Sequence, residues 1–218
     1  MLDFKHFGEH PFTFSGAAGD LEAILNVPSA FNDRYIALLG HPHSLQGGTM
    51  NNKVVTTLAR VFNELGIPSV RFNFRGVGKS QGEYDAGIGE SEDMLRLATL
   101  CAQQLPGVQF VFAGFSFGSY VSYRAAAQCP HALLISIAPA VHHYDYTAFV
   151  PAPNPWIIVH GDADEVVPVD AVRTFVSQSS SPVIYMEKAE TSHFFHGKLV
   201  DLKSSLIQTI QAQGLLCH

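Results

Sequence analysis

Residues 109–127 read QFVFAGFSFGSYVSYRAAA, and the rest of the chain can be interpreted around them. An apolar run ends at the pattern G-F-S-F-G in residues 114–118, and the residues that follow favour a helix ending before Pro130. This order predicts a strand, a sharp turn and a helix. Glycine is needed two residues on either side of Ser116, because bulky side chains would collide in so tight a turn.

In this arrangement Ser116 lies at the carboxyl end of a buried strand, where the first amides of the next helix point at its hydroxyl. Those amides and the helix dipole favour negative charge that develops nearby. The alternative interpretation is a serine at a helix N-terminus in a glycine-rich turn, with no chemical role. The residues that the other strands bring to the same edge distinguish the two interpretations.

Composition limits the classes of protein to consider. A chain of 218 residues that is 47% hydrophobic can bury one core, so we expect a single domain over residues 1–218. The net charge of −6 and the absence of a basic run argue against a nucleic-acid partner. The cysteines, which lack C-x-x-C spacing, are predicted to be reduced thiols: Cys101, Cys129 and Cys217. The first residues do not resemble a targeting segment, which predicts a soluble cytoplasmic protein without a membrane partner.

Hydrophobic patterns predict an α/β fold in which a doubly wound, mostly parallel sheet carries helices on both faces. Strands alternate with helices, and the run Tyr35-Ile36-Ala37-Leu38-Leu39 is typical of a strand covered on both faces. Residues 12–14 and 21–27 predict an antiparallel hairpin at one sheet edge. Helical spacing predicts helices over residues 51–65 and 91–105.

The helix predicted over residues 91–105 has an apolar face and an acidic start. The residues predicted to face the core are Met94, Ala98, Cys101, Ala102 and Leu105. Glu92 and Asp93 fall in its first predicted turn, where the helix dipole favours carboxylates.

Two further strands bring ionisable side chains to the edge where Ser116 is expected. Residues 156–159 form a buried-type strand, and the carboxylates that follow it are Asp162, Asp164, Glu165 and Asp170. The last predicted strand, residues 183–187, is followed by His193. Functional groups of an open parallel sheet gather beyond the carboxyl ends of its strands. A serine, a carboxylate and a histidine are therefore expected to meet there.

The chain resembles an α/β-hydrolase, and more narrowly the small bacterial hydrolases related to the dienelactone-hydrolase and cocaine-esterase-like groups. The similarity covers nearly the whole chain and is carried by HPH at 41–43, GGTM at 47–50, RFNFRGVG at 71–78, GFSFG at 114–118, GDAD at 161–164 and HFF at 193–195. Ser116 stands where dienelactone hydrolases carry a cysteine. The resemblance implies a catalytic triad in the chain order Ser116, Asp164, His193.

The acid and the base each have a competitor in the sequence. The family pattern implies Asp164 as the acid, with Asp162 as the alternative, and Asp164 could instead cap the next helix. His193 competes with His196, which lies close to the start of the final helix.

The oxyanion donors of this fold are backbone amides. One is expected after the nucleophile, at Phe117, and the other in the loop after Leu39. Pro42 has no N–H, so His43 is the predicted donor. Esterases of this fold usually carry His-Gly where this chain has His41-Pro42. No further ligand is spaced to help the two imidazoles bind a metal, so we expect no metal and no other cofactor.

The glycine-rich residues 75–80 are similar to a phosphate-binding loop but lack its parts. Asn73 stands where that loop needs a glycine, and the residues directly after it, Gln81 and Gly82, do not favour a helix. We expect this loop to frame the rim of the site.

These predictions point to a serine hydrolase that cleaves small carboxylic esters through an acyl-enzyme. Only residues 141–155 are available as a short lid-like insertion, which predicts an open site. The side chains predicted to contact the substrate are His142, His143, Tyr144 and Tyr146, unless they belong to a packed surface loop. A thioesterase or small amidase would use the same triad, and a non-catalytic binding module on the same fold is the alternative from another class.

Overall fold

A computed structural model of the chain describes residues 2–150 and 152–216. Cys217, predicted to be a reduced thiol, lies outside the described residues, whereas Cys101 and Cys129 are both free thiols. None of the helices in the described ranges has both the length and the apolar character that a membrane span needs.

The sheet of the described residues has eight strands. They are β1 (Gly8–Ser15), β2 (Asp20–Val27), β3 (Tyr35–Gly40), β4 (Ser69–Phe72), β5 (Gln109–Phe115), β6 (His131–Ile137), β7 (Trp156–Gly161) and β8 (Val183–Lys188), and they lie in the order β1-β2-β4-β3-β5-β6-β7-β8. Strands β3 to β8 run parallel, while β2 pairs antiparallel with both β1 and β4. The predicted parallel sheet and its antiparallel edge hairpin are therefore confirmed.

Helices cover both faces of this sheet. They are α1 (Lys53–Glu64), α2 (Ile88–Gln104), α3 (Phe117–Ala126), α4 (Val169–Gln178) and α5 (Leu199–Ala212). The side chains of α1 and α5 pack in one core layer, and those of α2, α3 and α4 pack in the other. In β3, Ile36 and Leu38 belong to one layer and Ala37 and Leu39 to the other. The strand is continuously apolar because its side chains alternate between two buried layers.

The strand order creates a crevice at the edge where the site was predicted. In the sheet, β3 has β4 as its neighbour on one side and β5 on the other, so the direction in which strands are added reverses at β3. Ligands of open α/β sheets bind beyond the carboxyl ends of the strands at such a reversal. The loop that contains His43 follows β3, and Ser116 follows β5. The topology therefore brings the predicted nucleophile and the predicted oxyanion loop to adjacent strand ends.

Helix α2 begins three residues earlier than predicted, at Ile88 rather than residue 91. The carboxylate of Glu90 accepts hydrogen bonds from the amides of Asp85 and Gly87 and so satisfies N–H groups at the helix start. Gly87 has a φ of 92°, a left-handed value that glycine adopts readily. The predicted core face is wrong for Ala102, which is exposed, and it omits Leu97, which is fully buried.

Asp93 does not serve the helix dipole as predicted, because it is fully buried in an ion pair. Its Oδ2 lies 2.8 Å from Arg75 Nε, and its Oδ1 accepts the amide of Ala17 at 2.7 Å. Arg75 also donates to the carbonyl of Gly89 at 2.8 Å. The pair therefore links the hairpin turn, the loop after β4 and helix α2.

Asp93→Ala is expected to lower the free energy of unfolding by about 3–5 kcal/mol, because it removes the buried carboxylate and leaves the Arg75 guanidinium with only the exposed Asp85 carboxylate, 3.9 Å away, as counter-charge. Urea unfolding measures this change. The control is Asp170→Ala, which removes an exposed ion pair with Arg173 of the same 2.8 Å length and should cost less than about 1 kcal/mol. Equal losses in the two variants would contradict the importance of the buried pair.

Candidate active site

The turn between β5 and α3 has the strained geometry that the sequence predicted. Ser116 has φ 54° and ψ −118°, which is unusual for a residue with a side chain. A Cβ atom on Gly114 would collide with the carbonyl oxygen of Gly118, and one on Gly118 would collide with that of Gly40. Both glycines are required because helix α3 begins in direct contact with β3 and β5.

Hydrogen bonds from buried groups fix this turn. The amide of Ser116 donates to the carbonyl of Ile137 at 2.8 Å. The hydroxyl of Ser119 lies 2.8 Å from the carbonyl oxygen of Gly114 and 3.0 Å from that of Ile137. Sequence reasoning missed Ser119, although a polar residue three positions after Ser116 falls on the helix face that meets the strands. Its hydroxyl joins the ends of β5 and β6 beneath the nucleophile.

The structure brings Ser116, His193 and Asp164 together from the ends of β5, β8 and β7. Ser116 Oγ lies 3.1 Å from His193 Nε2. His193 Nδ1 lies 2.8 Å from Asp164 Oδ2. The side chains of His193 and Asp164 are 3% and 0% exposed, so water competes little for these contacts. The arrangement can transfer a proton from the hydroxyl to an imidazole that a carboxylate orients.

Asp164 is held as an anion by several donors. Its Oδ1 accepts the amides of Val166 at 2.8 Å and Val167 at 2.7 Å, while Oδ2 faces His193. Burial alone would raise the pKa of Asp164, but the hydrogen bonds from His193 and the two amides outweigh burial and lower it. Helix α4 has Pro168 as its N-cap, so Asp164 does not cap that helix.

The competing acid and base lie apart from this cluster. Asp162 and His196 are exposed, and the ring of His196 contacts Phe194 rather than the serine. Glu165 has a role that the sequence did not reveal, because its carboxylate accepts the backbone amide of His193 at 3.1 Å. This contact joins the loops that carry the carboxylate and the imidazole.

The amides of His43 and Phe117 are both available at the site. Within residues 2–150 and 152–216 neither N–H donates a hydrogen bond. Phe117 is the first residue of α3, where the helix leaves its N–H groups without internal partners. The rings of the two residues lie 5.2 Å apart. Two free donors beside Ser116 can receive a negatively charged oxygen.

A small pocket of about 120 Å³ opens beside Ser116. It is lined by Pro42, His43, Gln46, Gly47, Gly48, Asn52, Ser116, Val166, His193 and Phe194. Val166 and Phe194 are 44% and 41% exposed, so two apolar side chains flank the pocket at the surface. Sequence reasoning missed Val166 and Phe194, because they come from two separate loops with no shared pattern.

None of the side chains predicted to contact substrate lines this pocket. Tyr146 is wrong as a substrate contact because it is only 3% exposed and packs against Tyr123 and Trp156 in the core. A large ring at this position fills the space above Trp156. His142 and His143 are exposed, and they stay predictions.

Tyr144 does not line the pocket, but its ring contacts aromatic residues next to the nucleophile. Its ring is 5.4 Å from that of Phe117 and 4.7 Å from that of Tyr120. Tyr84, which the sequence did not reveal, packs 4.9 Å from His43 and places its hydroxyl 3.5 Å from that of Tyr144. The loop after β4 therefore reaches the residues around the nucleophile. Helix α2 begins only at Ile88, so residues 75–80 are not followed directly by the helix that a phosphate-binding loop requires.

His41 and His43 are the two histidines that the sequence offered as metal ligands. The described residues contain no group of three or more His, Cys, Asp or Glu side chains arranged to hold an ion. The His41 ring is fully buried, and backbone groups contact both of its nitrogens.

The chain is similar to solved structures along nearly its whole length. It is 44% identical to an α/β serine hydrolase homologue from Coxiella burnetii, with a TM-score of 0.90, over 94% of this chain and 99% of that one. It is 39% identical to XC6422 from Xanthomonas campestris, described as an α/β serine hydrolase without lid, with a TM-score of 0.91 over 97% and 98% of the two chains.

A curated relative of similar length has no described activity. The uncharacterized protein RP471 from Rickettsia prowazekii is 34% identical over 203 residues, which is 88% of this chain and 85% of that protein. No protein-family model matches the chain.

Proposed function

The chain belongs to the α/β-hydrolase superfamily, with serine hydrolase relatives at 39% and 44% identity, and on that premise we propose that it cleaves small carboxylic esters through an acyl-enzyme on Ser116. The observation that carries the proposal is the contact of 3.1 Å between Ser116 Oγ and His193 Nε2, continued by that of 2.8 Å to Asp164. These three groups have the order and roles of a Ser-His-Asp triad.

In the proposed first step, His193 Nε2 accepts the proton of the Ser116 hydroxyl while Oγ forms a bond to the ester carbonyl carbon. Asp164 keeps the proton on Nδ1 and stabilises the imidazolium that forms. The carbonyl oxygen becomes an oxyanion and accepts hydrogen bonds from the backbone N–H groups of Phe117 and His43. The tetrahedral adduct then expels the alkoxide, which leaves as the alcohol with the proton from His193. Water attacks the acyl-enzyme with the same base and releases the acid.

The size of the pocket supports a short acyl group. Its volume of about 120 Å³ is slightly smaller than that of cavities of about 150 Å³ that can hold a benzene molecule. The two glycines in its wall add no side chains, while Val166 and Phe194 offer apolar contact. A short acyl group therefore fits this space better than a long one does.

Thioesters and small amides are alternative substrates, because the same groups can attack their carbonyls and only the leaving group differs. A non-catalytic binding module is the alternative of another class, and the unblocked contact between Ser116 and His193 disfavours it. We further propose a cytoplasmic protein whose partner is a small molecule. The net charge of −6 supports a partner other than nucleic acid.

One experiment addresses both the reaction and the acyl size. A fluorophosphonate should form one adduct on Ser116, located by peptide mass spectrometry, because a serine beside a general base is nucleophilic. In a series of p-nitrophenyl esters, kcat/KM should be highest at acetate to butyrate and fall by at least about tenfold at octanoate.

Labelling without turnover of any ester would favour the thioesterase or amidase alternative, which thioester and anilide substrates then test. Absence of both labelling and turnover would favour the binding module. Equal rates for butyrate and octanoate would contradict the short acyl pocket.

A further inference from the structure

His41 is a buried histidine that the proposed reaction does not use. It directly follows β3, and its ring is fully buried. Its Nδ1 lies 2.7 Å from the carbonyl oxygen of Pro42, and its Nε2 lies 2.9 Å from the backbone nitrogen of Phe74. One ring therefore joins the loop after β3 to the segment after β4.

These partners determine the tautomer of His41. The amide of Phe74 can only donate, so Nε2 must be the acceptor, and the carbonyl of Pro42 can only accept, so Nδ1 must carry the proton. Burial lowers the pKa of His41 to about 4, although the hydrogen bond to Pro42 acts in the opposite direction. The ring is therefore a neutral donor to Pro42 at neutral pH.

The Pro42 carbonyl belongs to the same peptide unit as the His43 amide. Among the described residues the cis peptide bond is Asn154–Pro155, so the Pro42–His43 bond is trans. In a trans peptide the C=O and N–H point in opposite directions. Because the carbonyl points at the buried His41 ring, the His43 N–H points away from that ring.

Other contacts hold this peptide in one position. A Cβ atom on Gly48 would collide with the Pro42 carbonyl, so the oxygen is enclosed between the ring and the Gly48 backbone. The carbonyl of His43 accepts the amides of Gln46 and Gly48, both at 3.0 Å. The ring of Phe74 packs on that of His41 at 4.0 Å.

We propose that His41 is a positioning residue for the oxyanion site, whose Nδ1–H holds the Pro42 carbonyl so that the His43 amide faces the reacting carbonyl oxygen. The inference rests on the proposed acyl transfer at Ser116. It assigns His41 a function through the backbone, without contact to the substrate. A displaced amide is weak as an oxyanion donor because the stabilisation depends on a donor distance of about 2.7–3.1 Å.

Two amide substitutions separate the two bonds of the ring. In His41→Asn the side-chain nitrogen can occupy the place of Nδ1 and donate to Pro42, but the Phe74 amide loses its acceptor. In His41→Gln the longer side chain can place its oxygen near Nε2 and accept from Phe74, but the Pro42 carbonyl loses its donor. The variants therefore exchange which backbone group is left without a partner.

His41→Gln is expected to lower kcat by about 10²-fold or more with KM within about threefold, since loss of one oxyanion donor costs about 10²–10³. His41→Asn should retain at least about tenfold more kcat than His41→Gln, and yet be the less stable variant in urea. Affinity for a short alkyl boronic acid, whose tetrahedral adduct places an oxygen in the oxyanion site, should fall in parallel with kcat. A purely structural role would make activity losses follow stability losses.

The control is His131→Gln, which removes a partly buried histidine whose Nδ1 contacts the carbonyl of Cys129 at the other end of the sheet. If His41→Gln does not fold, Gly48→Ala tests the same carbonyl, because the added methyl displaces it while His41 is intact; kcat should again fall.

Retention of kcat within threefold in His41→Gln, or in Gly48→Ala where the former is unfolded, would overturn the inference. Equal kcat losses in His41→Asn and His41→Gln would also overturn it. A wild-type protein that neither labels nor hydrolyses esters contradicts the proposed function instead, so the two failures can be distinguished.

Discussion

Ser116→Ala is expected to lower kcat for a p-nitrophenyl ester by about 10⁶, because it removes the atom that forms the acyl-enzyme. His193 and the two oxyanion amides would remain and support only the weak hydrolysis that such sites retain without their nucleophile. Initial rates at saturating substrate measure the loss, and labelling by a fluorophosphonate should disappear in the same variant.

The fold of this variant should be intact. Alanine keeps the Cβ atom, so residue 116 meets the same backbone strain as serine at φ 54°. The midpoint of urea unfolding should therefore stay close to that of the wild type. Ser177→Ala is a suitable control, because this hydroxyl donates to the carbonyl of Thr174 on the surface of α4. Ester turnover in Ser116→Ala within tenfold of the wild type would contradict the proposed nucleophile.

Asp164→Asn is expected to lower kcat by about 10⁴ with little change in KM, because it reverses the tautomer of His193. Oδ1 of Asp164 accepts two amides, so the oxygen of the introduced asparagine should take that place and its NH₂ should face His193 Nδ1. That ring nitrogen must then accept, which moves the ring proton to Nε2 beside Ser116. A protonated Nε2 cannot remove the proton of the serine.

The matched control is Asp162→Asn, which alters the exposed carboxylate two residues earlier and should change kcat by less than twofold. A large loss in Asp162→Asn with full activity in Asp164→Asn would exchange the assigned acid. A loss of equal size in both would indicate that the loop conformation, rather than the carboxylate, limits the rate.

The ionised Asp164 carboxylate should stabilise the folded protein at neutral pH, and this stabilisation should be lost in acid. The hydrogen bonds of the folded state lower its pKa below the ordinary value of 3.8. The stabilisation is therefore complete above the pKa of the unfolded chain and is lost as the pH falls through the lower, folded value. The unfolding free energies of wild type and Asp164→Asn should therefore approach each other as the pH falls below about 4, as urea unfolding at several pH values would measure.

Much of the site could be predicted from sequence because each of its reactive groups lies in the loop that follows the carboxyl end of a strand. The glycines around Ser116 reflect a steric constraint that acts within the turn itself. Asp164 and His193 come close to Ser116 because their parallel strands end at the same edge of the sheet. The narrower resemblance to the dienelactone-hydrolase and cocaine-esterase-like groups stays a prediction, as does the lid-like role of residues 141–155.

The predictions failed where side chains meet across elements. The position of Asp93 in the sequence is typical of an exposed acidic residue in the first turn of a helix. In the structure its carboxylate is buried in an ion pair with Arg75, which comes from the loop after β4. Tyr146 lies in a segment that was predicted to be an exposed loop, yet its ring packs against that of Trp156 in the core. Neither environment depends on the neighbouring residues in the chain.

The sequence by itself determined the alternation of strands and helices, the turn at Ser116 and the three residues that meet over it, because backbone sterics and hydrophobic period act over a few residues. Only the tertiary structure decided the pocket wall, the buried pair of Arg75 and Asp93, and the two bonds of His41. The bond between Arg75 and Asp93 joins residues 18 positions apart and that between His41 and Phe74 joins residues 33 positions apart, so these partners depend on how the elements are arranged in space.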